Sequence, residues 1–149
     1  MNPTLKRIAE FRLLPIITID DASLAPPLAD ALVEGGLPLA EITFRTSDAE
    51  AAIRAIARRG DMLVGAGTCL TVAQVDRALD AGAQFLVTPG TNPEVVEHAL
   101  GRNAVILPGV ATPTEIESAL LLGVPHLKFF PAEPLGGVAM LKALAGPYP

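Results

Sequence analysis

Three lysines occur in the chain, and only one lies where solvation does not explain it. Lys6 falls in an opening helix-like stretch and Lys142 in the last one, so ordinary solvated faces account for both. Lys128 stands inside the apolar run His126-Leu127-Lys128-Phe129-Phe130. In a strand, alternation puts Lys128 on one face with His126 and Phe130 and turns Leu127 and Phe129 to the other. An amine so placed is either half of a structural ion pair or a nucleophile, because desolvation favours the neutral form of a buried amine. The segment Glu41-Ile42-Thr43-Phe44-Arg45 supplies a partner. There Glu41, Thr43 and Arg45 share one face and Ile42 and Phe44 the other. With the apolar pair against a helical layer, a carboxylate, a hydroxyl and a guanidinium face inward. A carboxylate in that position must be paired or titrate abnormally. Arg45, at the strand end, reads equally well as solvated. His126 reads as a packed or rim histidine and His98 as a surface residue on a helix.

Those side chains need a scaffold that brings the ends of separate strands together. After a helix-like stretch at 3–11, residues 13–18 form an apolar, β-branched run. Asp21 and Ser23 offer caps for a helix through Leu28 and Leu32, stopped by Gly35 and Gly36. The pair recurs as 39–44 with 48–58, 62–66 with 72–79, 84–87 with 94–100, 104–107 with 114–122, and 126–130 with 138–145. Gly60, Gly82, Gly101 and Gly123 close further helices. Strand-then-helix at this pitch predicts βα units feeding a parallel sheet, in a single domain spanning 1–149.

Two parallel architectures compete. A doubly wound open sheet buries its central strands on both faces and reads as near-continuous apolar runs. A TIM (β/α)8 barrel tolerates polar inward side chains at the C-terminal ends of its strands, where its sites lie. Polar residues and glycines fall at those ends here, in Glu41 to Arg45, Gly65-Ala66-Gly67-Thr68, Thr88-Pro89-Gly90, Pro108-Gly109, and Lys128 with Pro131. The pattern favours the barrel, preceded by an extra N-terminal helix. Only about six of eight βα units are expected, without the seventh and eighth strands.

Composition excludes several function classes. With 149 residues, 50% of them hydrophobic and 18% charged, the chain is neither disordered nor fibrous. No apolar run approaches the roughly 20 residues of a membrane span, and the first residues do not read as a signal peptide. The single cysteine, Cys69, permits no intramolecular disulfide and fits a reducing cytoplasm. A net charge of −5 with one Tyr, five Phe and no Trp argues against nucleic acid. Neither GxGxxG nor GxxxxGK[ST] occurs, and Gly65-Ala66-Gly67 is only half of a nucleotide fingerprint. Two distant histidines and one cysteine make no transition-metal set. No histidine is placed to activate Ser23, Ser47 or Ser118.

The segments EITFRT (41–46), VGAGTCL (64–70), AGAQFLVTPG (81–90), LPGVATPTE (107–115) and LKFFPAEPLGGVAMLKALAGPYP (127–149) resemble a known family. It is the class I aldolases that cleave 2-keto-3-deoxy-6-phosphogluconate, which often act on 4-hydroxy-2-oxoglutarate as well. The likeness runs from LLPIITID to the last residue, and KFFPAE with GAGT carries it most specifically. It implies a cytoplasmic lyase of carbohydrate metabolism, in an Entner–Doudoroff setting, folded as a barrel and assembled as a homotrimer when complete. Carried over residue by residue, it makes Lys128 the Schiff-base lysine and Glu41 the general acid/base. Arg45 and Thr68 would bind the pyruvoyl end of a small 2-keto acid, with Pro89 and Phe130 lining the pocket.

The residue chemistry agrees with that assignment. Cleaving a carbon–carbon bond beside a ketone needs an electron sink, which a protonated imine on Lys128 provides, with one carboxylate moving the protons. Arg45 suits a substrate carboxylate. No metal or cofactor is required. In the family, phosphate is held by loops of the seventh and eighth strands. A second function class is therefore a non-catalytic, truncated barrel fragment that acts only by self-association or complementation. A phosphosugar isomerase or a metal-dependent aldolase is disfavoured by the placement of Lys128.

Overall fold

The structure, a computed structural model, describes residues 2–148. Asn2 caps the first helix, α1 (Pro3–Phe11), by accepting from the Thr4 backbone N–H, and Pro3 fills the first turn where no N–H is needed. Five short strands follow in one parallel sheet, ordered as in the chain: β1 (Ile16–Ile17), β2 (Leu39–Thr43), β3 (Leu63–Gly67), β4 (Leu86–Val87) and β5 (Ile106–Leu107). Two more, β6 (Gly109–Val110) and β7 (Lys128–Phe129), form a second parallel pair. Pro108, without an N–H to donate, separates β5 from β6, but its carbonyl still accepts from the Lys128 N–H at 2.9 Å.

The connecting helices are α2 (Ala25–Glu34), α3 (Ala49–Ala57), α4 (Val72–Asp80), α5 (Pro93–Gly101), α6 (Pro113–Leu121) and α7 (Gly137–Leu144). Three starts follow from side-chain caps. Thr71 accepts from Gln74 N, Asn92 from Glu94 N, and Thr112 with Glu115 forms a reciprocal capping box. Among the described residues none of these helices is long and apolar enough to cross a membrane.

Several expected boundaries move. The run 13–18 contributes only Ile16–Ile17 to the sheet, since Pro15 precedes it and Leu13 is exposed. Asp21 caps a short 3-10 turn at Ala22–Leu24 instead of α2, which starts later beside Pro26 and Pro27. The expected strand 126–130 shrinks to Lys128–Phe129. Gly60, Gly82 and Gly123 take the left-handed conformation after their helices, but Gly36 does so instead of Gly35, and Asn103 instead of Gly101.

The sheet has two distinct faces. On the helix side, Ala40, Ile42, Val64, Ala66, Leu86 and Ile106 pack with Ala29, Ile53, Ile56, Val75, Val95 and Val96 in the larger core. On the opposite, inner face, Leu39, Leu63, Phe85 and Val87 form a second cluster, against which Ile8 and Phe11 of α1 and Leu107 pack. This apolar floor lies toward the N-terminal ends of the strands. Residues two and four positions further along each strand occupy the same face nearer the C-terminal ends.

Candidate active site

On β2, Leu39, Glu41 and Thr43 follow one another up the inner face while Ile42 and Phe44 are buried toward the helices. Glu41 is 2% exposed. Its Oε1 lies 3.7 Å from Lys128 Nζ, and the lysine side chain keeps 22% exposure. The two residues come from strands far apart in the chain. Burial pushes the Glu41 carboxyl above the ordinary carboxylate range, and the nearby charges of Lys128 and Arg45 pull it only part of the way back.

Lys128 Nζ also stands 5.0 Å from the centroid of the Phe130 ring. Arg45 follows β2 and is exposed at the rim. Thr68 follows β3 and carries a positive φ of 59°, an uncommon backbone state for a β-branched residue. Pro89 follows β4 and lines a cleft of about 300 Å³ with Cys69, Leu70, Thr88, Gly90, Thr91 and Asn92. Lys128 is therefore brought within reach of both Glu41 and Phe130. Arg45, Thr68 and Pro89 occupy the same C-terminal rim on neighbouring strands. His126 lines a different cavity at the opposite end, near α1 and Pro125. A larger apolar groove of about 550 Å³ lies between α6 and α7, over the outward side chains Leu127 and Phe129, and holds none of these polar groups. His98 is no bare surface residue: it meets Asp76 at 2.9 Å, and Arg102 joins the same carboxylate.

Three participants in this geometry escape the sequence. Gly67 is the first: a Cβ built on it would lie 2.0 Å from Glu41 Oε1, so the carboxylate occupies the space of the absent side chain. Gly65, two residues earlier, is filled in the same way by the Phe85 ring, 2.2 Å from the built Cβ. The Gly-Ala-Gly run is thus a pair of inward-facing vacancies taken by neighbouring strands and not part of a nucleotide loop. Its period of two, beside a strand with an inward carboxylate, was the available signal. Thr18 is the third, its hydroxyl 2.9 Å from that of the fully buried Thr43. Cys69 is buried behind the site, and desolvation, reinforced by the Glu41 charge, pushes its thiol up to about 12.

Residues 5–149 match the model of the KDPG and KHG aldolase family. The chain belongs to that family. It is 54% identical over 138 residues to the 2-dehydro-3-deoxy-phosphogluconate aldolase of Treponema pallidum, covering 92% of this chain and 66% of the relative. To the enzyme of the same name from Haemophilus influenzae it is 49% identical, covering 97% of this chain and 68% of the relative. The chain thus spans about two thirds of the length of these curated relatives. The crystal structure of the KDPG aldolase of Legionella pneumophila, with pyruvate captured as a covalent carbinolamine, superposes with a TM-score of 0.86 at 39% identity. That match covers 89% of this chain and 65% of the other. The α/β fold with its parallel sheet is the one this aldolase family shares.

Proposed function

We propose that this KDPG/KHG aldolase family member cleaves 2-keto-3-deoxy-6-phosphogluconate to pyruvate and glyceraldehyde 3-phosphate, and 4-hydroxy-2-oxoglutarate to pyruvate and glyoxylate. The reaction runs through an imine on Lys128. The observation that supports this most is the approach of Lys128 Nζ to Glu41 Oε1 at 3.7 Å, with the carboxylate almost fully buried and the amine still reachable.

The neutral amine of Lys128 attacks the C2 ketone, and the carboxylic acid of Glu41 protonates the hydroxyl of the resulting carbinolamine, which leaves as water to give a protonated imine and the Glu41 carboxylate. Glu41, as carboxylate, then takes the proton of the C4 hydroxyl. The C3–C4 bond breaks, its electron pair passes into the iminium to form an enamine, and the aldehyde leaves. Glu41 returns the proton to C3, and water hydrolyses the imine to release pyruvate and the free lysine. A carboxyl raised by burial is suited to both directions of this transfer. Arg45 and Thr68 are placed to grip the pyruvoyl carboxylate, with Pro89 and Phe130 lining the pocket. The carbinolamine trapped in the Legionella pneumophila relative supports the same first step here.

The six βα units of this chain, in one domain, are read as part of a (β/α)8 barrel with α1 as its added helix, in a cytoplasmic homotrimer. The test is pyruvate release from both substrates by the chain and by Lys128→Ala. Release that depends on Lys128 is expected, and equal release by the variant would refute the assignment.

A further inference from the structure

A glycine in a strand weakens it, having no side chain to pack and more freedom to lose on folding. Gly67 closes β3 and is buried, and it is not among the glycines with positive φ, so its backbone does not require glycine. The reason lies in what fills its place. The three nearest heavy atoms to a Cβ built there all belong to Glu41: Oε1 at 2.0 Å, Cδ at 2.7 Å and Cγ at 2.7 Å. The oxygen in closest conflict is the one that faces Lys128 Nζ at 3.7 Å. The vacancy on β3 and the amine on β7 thus bound the same carboxylate oxygen.

We propose that Gly67 is a positioning residue for proton transfer: the side chain it lacks is the space that holds the Glu41 carboxylate against Lys128. The inference rests on the imine reading of the site. Gly65, with the same geometry two residues earlier, accommodates only the Phe85 ring and so shapes the apolar floor. An added methyl at position 67 must move Oε1 by more than an ångström to reach ordinary contact. A misplacement of that size in a reacting group costs about 100-fold in rate.

The experiment is a double-mutant cycle between Gly67→Ala and Glu41→Ala. It is read by the rate at which pyruvate and borohydride label Lys128, by kcat and KM for cleavage, and by melting temperature. Gly67→Ala should slow labelling and kcat about 100-fold with KM little changed, and should lower the melting temperature. In the Glu41→Ala background the same change should cost no further rate and no further stability, because the atoms it strikes are gone. Multiplying rate losses, a labelling rate unchanged by Gly67→Ala, or a melting loss that persists without Glu41 would each overturn the proposal. Should Gly67→Ala fail to fold, the double variant is still expected to fold, and its failure would refute the niche. Absence of any Lys128 adduct in the unmodified protein would instead sink the imine reading, while the melting-temperature arm would still judge the niche.

Discussion

Replacing Glu41 by Gln separates a working carboxylate from a structural ion-pair partner. The charges of Glu41 and Lys128 at 3.7 Å attract by about 4 kcal/mol at an effective dielectric of ~20. Against this stands desolvation of an almost fully buried carboxylate, which costs several kcal/mol for a buried ion, roughly the same size. The raised carboxyl of Glu41 says that desolvation wins. Since the folded state holds this proton more tightly than the unfolded state, its contribution is full below the ordinary carboxylate value. It is lost as pH climbs through the raised one, by about 1.4 kcal/mol for each unit of elevation. Gln carries no such penalty, and Lys128 retains water and the Phe130 ring after the change. Glu41→Gln should therefore stay within about 1 kcal/mol of the parent at neutral pH, and its stability relative to the parent should improve as pH rises from 4 to 8. Its single-turnover cleavage should nevertheless slow by roughly 10²–10⁴-fold. Urea melts across that pH range, paired with quench-flow turnover, provide the comparison. A variant that loses stability relative to the parent as pH rises, while keeping its rate per folded molecule, would mean that the ion pair dominates and the reasoning is wrong.

Other consequences are direct. Arg45→Ala should raise KM for pyruvate-containing substrates by about tenfold or more, the loss of one charge-assisted pair, and leave the melting temperature almost unchanged because Arg45 is exposed; steady-state kinetics with thermal melts check this. Gly65→Ala drives a methyl into the buried Phe85 ring and should destabilise by about 1–3 kcal/mol, read by chemical denaturation, with the loss reduced in a Phe85→Leu background. Cys69, with its thiol pushed up to about 12 and its side chain buried, should resist iodoacetamide at pH 8 until the protein unfolds, as timed alkylation would report.

Much of this arrangement was legible in residue order. The alternation in 41–45 placed Ile42 and Phe44 against the helices and Glu41 and Thr43 opposite, because a strand's period of two leaves no freedom once one face is apolar. The same rule put Lys128 opposite Leu127 and Phe129, on a face that the structure brings to Glu41. Strand lengths were less legible. Hydrophobicity marks which residues prefer burial but not which backbone groups find a ladder partner, so the run 13–18 is longer than the strand it yields and the interruption at Pro108 leaves no mark in the pattern. Asp21 caps a 3-10 turn because the prolines that follow delay the helix, a competition that pattern alone does not resolve. The vacancies at Gly65 and Gly67 were hidden for a simpler reason. A glycine's contribution here is the space that a residue from another strand takes up, and that depends on register, Glu41 pairing with Gly65 and Thr43 with Gly67.

The central claim, that Lys128 is the amine that binds the ketone, has one direct measurement. The protein is incubated with pyruvate, reduced with borohydride, digested, and its peptides are sequenced by mass spectrometry. The account predicts a reduced pyruvate adduct on Lys128, none on Lys6 or Lys142, and no adduct at all in Lys128→Ala. Labelling that survives in that variant, or that falls on another lysine, would contradict it.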